Sequence, residues 1–233
     1  MNFVLLGFSK SFQFSDMPVV YTRTIIPDSM LSVWHATEGA DTLLGQLDLD
    51  QEDEAIYSSI RNQSRKLQWL GCRMALSHLM QTPEIGIRYN EYGKPLLISG
   101  KANISFTHSG AYAAAILSTT SNVGIDLEPV REKISRVAER FLSTQELSLA
   151  SGKERLEILT LFWSVKETLF KINGKPDLDI QHDICIESFD YLCNTNGTLK
   201  ARMKWLGPES GIPVSYYRLQ DYILAWATVP ENN

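Results

Sequence analysis

Asn122-Val123-Gly124-Ile125-Asp126-Leu127-Glu128-Pro129 lies near the middle of the chain, and its alternation of apolar and polar residues indicates a β-strand that ends at the proline. Ile125 and Leu127 would point to one face of this strand, into a core, while Asp126 and Glu128 point to the other. Two carboxylates on one face repel each other unless a cation or water lies between them. The stretch is therefore either a solvated sheet edge or one side of a cation site, and such short patterns recur by chance.

Helical and strand patterns follow one another on the N-terminal side of this strand. Apolar residues recur at helical spacing from Gln51 to Met80, and Pro83 stops the run. From Ile85 to Ser118 the signals are those of strands, and Ala111 to Leu117 is small and apolar, as in a buried strand. Met1 to Phe8 is apolar but short and lacks a basic cluster, so it indicates a first strand rather than a signal peptide.

The C-terminal side repeats the order of helices and then strands. Ser143 to Glu146 predicts a capping box, and Arg155 to Asn173 predicts an amphipathic helix that ends at Gly174. Short alternating stretches from Asp183 to Val229 indicate antiparallel strands. We therefore expect an α+β fold of two halves, residues 1–120 and 121–233, with a cleft between them as a common place for a ligand.

Composition excludes several classes of protein. The chain has 233 residues, and 44% of them are hydrophobic, which is enough for a buried core. Its formal net charge of -5 argues against a nucleic-acid binder that relies on overall positive charge. Three cysteines without C-x-x-C or Cys/His ligand spacing favour a reduced cytoplasmic protein without disulfides or zinc. No apolar run approaches the length of a membrane span.

A second motif lies in the predicted C-terminal helix. Trp163, Glu167 and Lys171 follow the spacing i, i+4, i+8 and share one face of that helix. Taken alone, this is more simply a surface Glu–Lys pair beside a core tryptophan. Together with Asp126 and Glu128, Glu167 would bring three carboxylates to one hard cation, with a lysine beside them. Magnesium favours a few carboxylates, several waters and substrate phosphates, so the set outlines a phosphoryl-transfer site.

Two further segments could present groups to a ligand. His108 lies at the end of a predicted strand, before the turn at Ser109-Gly110, although a lone histidine is more often structural. Gly93-Lys94-Pro95 is by itself only a turn, in which the glycine lets the backbone approach a flat ligand closely.

Taken in order, these segments resemble the Sfp-type 4′-phosphopantetheinyl transferase family. Four segments match the family in order, and they are Gly93-Lys94-Pro95, Thr107-His108-Ser109-Gly110, Gly124 to Glu128, and Trp163 to Lys171. A fifth segment, Ala138 to Leu142 followed by Glu146, resembles the family's arginine-phenylalanine helix start. The matches cover about the middle third of the chain, and the ordered set is more specific than any one of them. The resemblance implies a pseudo-dimer of two similar α+β halves, each a short antiparallel sheet packed with helices.

The resemblance also implies an activity and its catalytic residues. The family transfers 4′-phosphopantetheine from coenzyme A to a serine of an apo acyl or peptidyl carrier protein and releases adenosine 3′,5′-bisphosphate. Asp126, Glu128 and Glu167 match the family's magnesium ligands. Glu167 is also the candidate general base, with a bridging water as the alternative, because a metal-bound carboxylate is a poor base. Lys171 matches the lysine that meets the coenzyme A phosphates and is the second candidate catalytic residue.

The remaining matches concern coenzyme A. Thr107 and His108 match the segment at the pyrophosphate, and Gly93, Lys94 and Pro95 match the segment at the adenine end. A monomer is expected, because both parts of the site lie on one chain. The resemblance leaves open which carrier protein is the partner.

The chain departs from the family at two places. Ser105 stands where the family usually has asparagine, which affects a loop hydrogen bond. Asp48 to Glu54 is acidic where relatives often carry cations for the ribose 3′-phosphate. The cations left for that phosphate are Arg61, Arg65, Lys66 and Arg73, of which Arg73 could instead be a structural partner of its helix.

Two other functions remain open on sequence alone. The chain could bind coenzyme A or a carrier protein without transferring anything, although all the residues expected for transfer are present. It could also be a magnesium phosphohydrolase unrelated to coenzyme A, which would leave His108 and Gly93-Lys94-Pro95 unexplained.

Overall fold

The structure, a computed structural model, describes residues 18–25, 28–187, 189, 191, 196–206 and 211–231. The first strand predicted at Met1 to Phe8 lies outside the described residues. Cys72 and Cys185 are free thiols, and Cys193 also lies outside the described residues. Within these described ranges, no helix has both the length and the apolarity that a membrane crossing requires.

The N-terminal half is a six-stranded antiparallel sheet in the order β1-β2-β6-β5-β4-β3, with helix α3 packed against β2, β5 and β6. Its strands are β1 (Val19–Ile25), β2 (Ser29–His35), β3 (Ile87–Tyr89), β4 (Pro95–Leu97), β5 (Asn103–Ser109) and β6 (Tyr112–Ser118). Its helices are α1 (Ala40–Leu44), α2 (Gln51–Ser59) and α3 (Gln63–Met80).

The helical pattern predicted from Gln51 to Met80 has the predicted outer limits, but the structure divides it into the two helices α2 and α3. The backbone of Ile60 is extended, with φ -74° and ψ 111°, and ends α2. The Asn62 side chain then accepts a hydrogen bond from the backbone N–H of Arg65 at 3.0 Å and begins α3. Asparagine at this position caps a new helix rather than continuing the old one, because its side chain satisfies an otherwise unpaired N–H group.

The C-terminal half is a five-stranded antiparallel sheet in the order β7-β11-β10-β9-β8, with the long helix α6 packed against β7 and β11. Its strands are β7 (Ser121–Pro129), β8 (Ile184–Ile186), β9 (Asn196–Met203), β10 (Ile212–Leu219) and β11 (Tyr222–Pro230). Its helices are α4 (Lys133–Val137), α5 (Thr144–Leu149) and α6 (Arg155–Asn173).

Local signals predicted this half well. Helix α6 has the predicted limits, and Gly174 ends it in the left-handed conformation with φ 65°. The predicted capping box is present, because the Glu146 carboxylate accepts from the Ser143 N–H at 2.8 Å and the Ser143 hydroxyl accepts from the Glu146 N–H at 3.2 Å.

A shared core joins the two halves. The chain passes from the first sheet to the second between Ser118 and Ser121, and the inner faces of both sheets pack against each other. The residues that meet there are buried and apolar, and include Leu31, Val33, Ala114, Ile116, Ile125, Leu127 and Trp226. The predicted α+β fold of two halves, each an antiparallel sheet packed with helices, is therefore confirmed.

Candidate active site

A cavity of about 910 Å³ lies where β7 and α6 of the C-terminal half meet β5, α3 and the β3–β4 turn of the N-terminal half. Its volume is in the usual range for small-molecule sites. The structure brings every site residue predicted from the sequence to its wall, namely Gly93, Lys94, Pro95, Thr107, His108, Asp126, Glu128, Glu167 and Lys171.

Strand β7 carries the first two carboxylates on one face, as its alternation predicted. Asp126 is 4% exposed and Glu128 is half-buried, and both line the cavity. Ile125 and Leu127 point the other way, into the core between the sheets. The two faces of one strand therefore separate the charged wall of the cavity from the apolar junction.

Gly124 lets α6 approach this strand closely. A Cβ atom there would overlap the Thr168 carbonyl oxygen and would lie 2.9 Å from Cγ1 of Ile172. No real side chain tolerates such contacts, so only glycine fits. An isolated glycine within a strand pattern is a known signal of close backbone approach, and it could have revealed this contact from the sequence.

Helix α6 adds Glu167 and Lys171 from adjacent turns. Lys171 Nζ lies 2.8 Å from Asp126 Oδ1 and donates to the Ile125 carbonyl oxygen at 2.9 Å. Lysine and aspartate thus form an ion pair between α6 and β7, with the aspartate almost fully buried. Lys171 thus compensates the charge of Asp126, one of the three carboxylates, without a bound metal ion.

Trp163, the third residue of the predicted helical face, holds the other carboxylate of β7. Its Nε1 donates to Glu128 Oε1 at 3.3 Å, and its ring packs edge-on against Phe141 with centroids 4.8 Å apart. The tryptophan is therefore both a core residue and a hydrogen-bond donor to the cavity wall.

Charge repulsion and burial act on the remaining two carboxyl groups. Burial, followed by the neighbouring Asp126 carboxylate, raises the pKa of Glu167 to about 7, although the Lys171 cation lowers it. Burial and Asp126 also raise the pKa of Glu128. The Asp126 carboxylate thus makes both glutamates harder to ionise, which is the electrostatic condition that a bound cation relieves.

The donor set fits a hard divalent cation. Oδ2 of Asp126 is buried and has no hydrogen-bond partner, so it is an anionic oxygen left for a ligand. Carboxylate oxygens are the ligands that Mg²⁺ prefers. The structure does not hold a ready-made metal cluster, however: among the described residues, no three His, Cys, Asp or Glu side chains lie close enough together to ligate an ion.

The Thr107-His108 pair reaches the cavity from β5. Thr107 is 7% exposed, and His108 is open to the cavity. Desolvation by the surrounding walls, followed by the positive charge of Lys171, lowers the pKa of His108. The lowered pKa favours the neutral imidazole, which can donate or accept a hydrogen bond.

The family model described as the 4′-phosphopantetheinyl transferase superfamily matches residues 122–227, which contain β7, α6 and their carboxylates. Over these residues the chain is similar to that superfamily. It is similar to the 4′-phosphopantetheinyl transferase Sfp of Bacillus subtilis, with 31% identity over 44% of this chain and 48% of that protein. It is also similar to the 4′-phosphopantetheinyl transferase gsp of Aneurinibacillus migulanus, with 29% identity over 51% of this chain and 52% of that protein.

The 4′-phosphopantetheinyl transferase AcpT of Escherichia coli shares 32% identity over 47% of this chain and 59% of its own length. The chain thus spans about half the length of the superfamily members that it matches.

The Gly93-Lys94-Pro95 turn lies against the end of α6. Gly93 has φ 82°, a left-handed conformation that glycine adopts without strain. Lys94 Nζ donates to the Ile172 carbonyl oxygen at 3.1 Å, and Gly174 leaves space for its side chain. The sequence did not reveal this hydrogen bond between the halves, because its acceptor is a backbone oxygen that lies 78 residues from Lys94 along the chain.

The structure also narrows the choice of cations for a 3′-phosphate. Arg73 is 1% exposed, pairs with Asp53 at 2.6 Å and stacks on Trp69. It is therefore better described as a structural partner within its own half than as a cation for the phosphate. Lys66 lies over the Tyr57 ring at 4.6 Å. Arg65 and Arg73 both line the cavity, but Arg73 is already paired with Asp53. Lys175, which sequence reasoning missed, lines the cavity as well.

The acidic stretch from Asp48 to Glu54 does not line this cavity. Asp50 and Glu52 pair with Arg88 at 2.9 and 2.7 Å, and Asp53 pairs with Arg73. Partners elsewhere in the N-terminal half thus compensate these three carboxylates.

Proposed function

We propose that this chain transfers the 4′-phosphopantetheinyl group of coenzyme A to a serine of an apo acyl or peptidyl carrier protein. The observation that supports it best is the convergence of Asp126, Glu128 and Glu167 with Lys171 and His108 on one cavity between the two halves. The match of residues 122–227 to the 4′-phosphopantetheinyl transferase superfamily supports the same activity.

In the proposed reaction, the serine oxygen attacks the β-phosphorus of coenzyme A. A new oxygen–phosphorus bond forms, and the bond from the β-phosphorus to the oxygen that bridges it to the α-phosphorus breaks. The leaving group is adenosine 3′,5′-bisphosphate, and the serine proton passes to a base. Such transfers depend mainly on positioning and on stabilising the developing charge, which a cavity between two packed halves can provide.

Glu167 is the group best suited to accept the serine proton. Before a cation binds, its pKa of about 7 means that a fraction of the molecules carries the carboxylate at neutral pH, and that this carboxylate is a stronger base than an ordinary one. A bound cation lowers this pKa and weakens the base. A water held by the carboxylates would be the base if Glu167 ligates the metal directly.

Lys171 of the C-terminal half and His108 of the N-terminal half would both stabilise the phosphates. Lys171 carries the positive charge, and the Asp126 carboxylate at 2.8 Å orients its ammonium group. His108 contributes hydrogen bonds as a neutral ring. Gly93, Lys94 and Pro95 are proposed to contact the adenine end, since they form part of the same cavity wall.

We propose magnesium as the cofactor, held by Asp126, Glu128 and Glu167. When bound, the ion would supply positive charge to phosphoryl oxygens. The unpartnered Oδ2 of Asp126 and the raised pKa of both glutamates support this proposal.

The decisive experiment incubates the protein with coenzyme A, magnesium and an apo carrier protein and then measures the mass of the carrier. We expect the carrier to gain the mass of phosphopantetheine and adenosine 3′,5′-bisphosphate to appear in equal amount. Binding of coenzyme A without any mass gain would instead indicate a binding module. Phosphate release from coenzyme A without carrier modification would indicate a hydrolase.

Two variants separate the metal proposal from the activity itself. Asp126→Asn removes the anionic oxygen and should abolish transfer, whereas Glu139→Gln neutralises an exposed carboxylate outside the cavity and should not. Transfer by Asp126→Asn at the rate of the unmodified protein would disprove the metal assignment.

A panel of fatty-acid, polyketide and nonribosomal-peptide carriers would identify the physiological partner. The monomeric state and the cytoplasmic location stay predictions.

A further inference from the structure

Strand β7 forms the edge of the C-terminal sheet, and its outer side faces the N-terminal half. Its neighbour within the sheet is β11, and in the part of the chain that the structure describes no strand pairs with its other side. At Leu127 a side chain takes that place, because the backbone N–H donates to the Thr107 hydroxyl oxygen at 3.1 Å. Thr107 belongs to β5, so this hydrogen bond crosses from one half to the other.

The same hydroxyl group also contacts the carboxylate next to Leu127. Thr107 Oγ1 donates to Asp126 Oδ1 at 3.4 Å, which is long for a hydroxyl hydrogen bond, and Lys171 Nζ lies 2.8 Å from the same oxygen. A hydroxyl group has only one proton to donate. The Thr107 hydroxyl donates it to Asp126 and accepts a hydrogen bond from the Leu127 N–H, so both of its roles are used. Thr107 is 7% exposed, so water does not readily replace it.

Both donors converge on Oδ1 and leave Oδ2 without a partner. We propose that Thr107 is a positioning residue that holds the Asp126 carboxylate across the junction between the halves, so that Oδ2 is the atom that binds the divalent cation. This inference rests on the proposed function. It also makes the N-terminal half part of the metal site, although all three proposed metal ligands lie in the C-terminal half.

This role differs from a direct contact to coenzyme A. Phosphate oxygens only accept hydrogen bonds, and the one proton of the Thr107 hydroxyl is already directed at Asp126. Loss of the hydroxyl should therefore affect metal binding more than coenzyme A binding. Residues that orient metal ligands usually contribute about 10- to 100-fold to metal affinity or activity.

The test compares Thr107→Val, which keeps the shape of the side chain but removes the hydroxyl, with Thr107→Ser, which keeps the hydroxyl. Thr160→Val is the matched control, because Thr160 is equally buried, its hydroxyl bonds to the Leu156 carbonyl oxygen at 2.8 Å, and it does not line the cavity. Magnesium is titrated calorimetrically into each protein, with and without saturating coenzyme A. KM for coenzyme A, kcat and the magnesium requirement for transfer are measured alongside.

We expect Thr107→Val to weaken magnesium binding by about 10- to 100-fold and to raise the magnesium requirement equally, with KM for coenzyme A near that of the unmodified protein. Thr107→Ser should restore magnesium binding, and Thr160→Val should leave it unchanged. A Thr107→Val protein that binds magnesium normally, or one whose KM for coenzyme A alone rises, would overturn the inference. So would an unmodified protein that binds no magnesium under either condition.

The calorimetric titration does not depend on transfer, so failure of the proposed activity is distinguishable from failure of this inference. If Thr107→Val does not fold, Thr107→Ala takes its place, since it removes the hydroxyl without introducing a larger group.

Discussion

At the scale of single residues, the cavity is defined by carboxyl groups whose charges oppose one another. Asp126 is paired with Lys171, whereas Glu128 and Glu167 are desolvated and lie in the field of Asp126. The pKa of both glutamates is raised because removal from water and repulsion by a like charge act in the same direction. Such perturbed groups are expected at functional sites, since a structure selected for stability alone would not keep them.

Glu167 should therefore make the metal-free protein less stable as the pH rises. Its pKa is about 7 in the folded state against an ordinary 4.5, so the folded state holds a proton that the unfolded state releases. The stability that this proton provides is complete below pH 4.5 and is lost as the pH rises through 7. In chelator, Glu167→Gln should be more stable than the unmodified protein at pH 8 by about 1–3 kcal/mol, and nearly equal to it at pH 4.

Urea unfolding of both proteins at a series of pH values measures this difference. Added magnesium should reduce it, because a bound cation favours the charged carboxylate. Parallel stability profiles for the two proteins in chelator would show that Glu167 has an ordinary pKa.

At the scale of secondary-structure elements, α6 and β7 build the site together. Helix α6 buries one face in the core of its half and presents Glu167 and Lys171 to the cavity. The position of α6 depends on its close contact with Gly124 and on the buried ion pair between Lys166 and Glu146. Lys166, which is fully buried, pairs with Glu146 at 2.9 Å and donates to the carbonyl oxygens of Ile180 and Ile184 at 3.0 and 2.8 Å.

Gly124→Ala should displace α6 from β7. The added Cβ would overlap backbone rather than a flexible side chain, so the helix must move and the Lys171–Asp126 pair must open. Overpacking of this kind costs about 1–3 kcal/mol and sometimes more. We expect a loss of at least this size in the free energy of unfolding, together with loss of transfer.

Gly45→Ala is the matched control, since the nearest atom to its Cβ lies 3.5 Å away and its φ is -66°. Chemical denaturation and the transfer assay measure both effects. A Gly124→Ala protein as stable and active as the control would contradict the close contact between α6 and β7.

The Lys166–Glu146 pair should be costly to break from one side. Lys166→Met leaves a buried carboxylate that keeps its hydrogen bonds from the N–H groups of Ser143 and Ile186 but loses its cation. Removal of one partner from a buried pair costs about 3–5 kcal/mol, because the other charge stays buried and unpaired. Lys166→Met with Glu146→Gln should cost less than the sum of the single changes, which a double-mutant cycle of unfolding free energies measures. Additive costs would mean that the two residues act independently.

At the scale of the whole molecule, the two halves depend on each other. Apolar faces of both sheets form one core, and the cavity takes its walls from both halves. Lys94 and Thr107 add polar contacts across the same junction. The halves are therefore structural units of one folded domain rather than independent domains.

The whole protein should consequently unfold in a single transition. Tryptophans are buried in both halves, at Trp34 and Trp226, so tryptophan fluorescence and far-ultraviolet circular dichroism should give the same midpoint and slope in urea. A fragment of residues 1–120 exposes Leu31, Val33 and Ile116 and should aggregate when expressed alone. Two separate transitions, or a monomeric and cooperatively folded fragment, would contradict this interdependence.

The sequence by itself determined those features that depend on neighbours along the chain. The alternation of β7, the limits of α6 and the capping box at Ser143 are local, because side-chain direction and backbone hydrogen bonding repeat over a few residues. The spacing of Glu167 and Lys171 and of Asp126 and Glu128 was predictable for the same reason. The break at Asn62 was missed, because an apolar period continues on both sides of it and the cap competes with it locally.

Only the tertiary structure decided which groups meet across the chain. Each of these contacts joins residues that are distant in sequence. They are the Lys171–Asp126 ion pair, the close packing of α6 on Gly124, and the hydrogen bonds from Lys94 to Ile172 and from Leu127 to Thr107. The pairing of Arg73 with Asp53 likewise became visible only in the folded chain. Period and propensity specify the direction of a side chain from its own element, but its partner depends on how the elements pack, and that is a property of the whole fold.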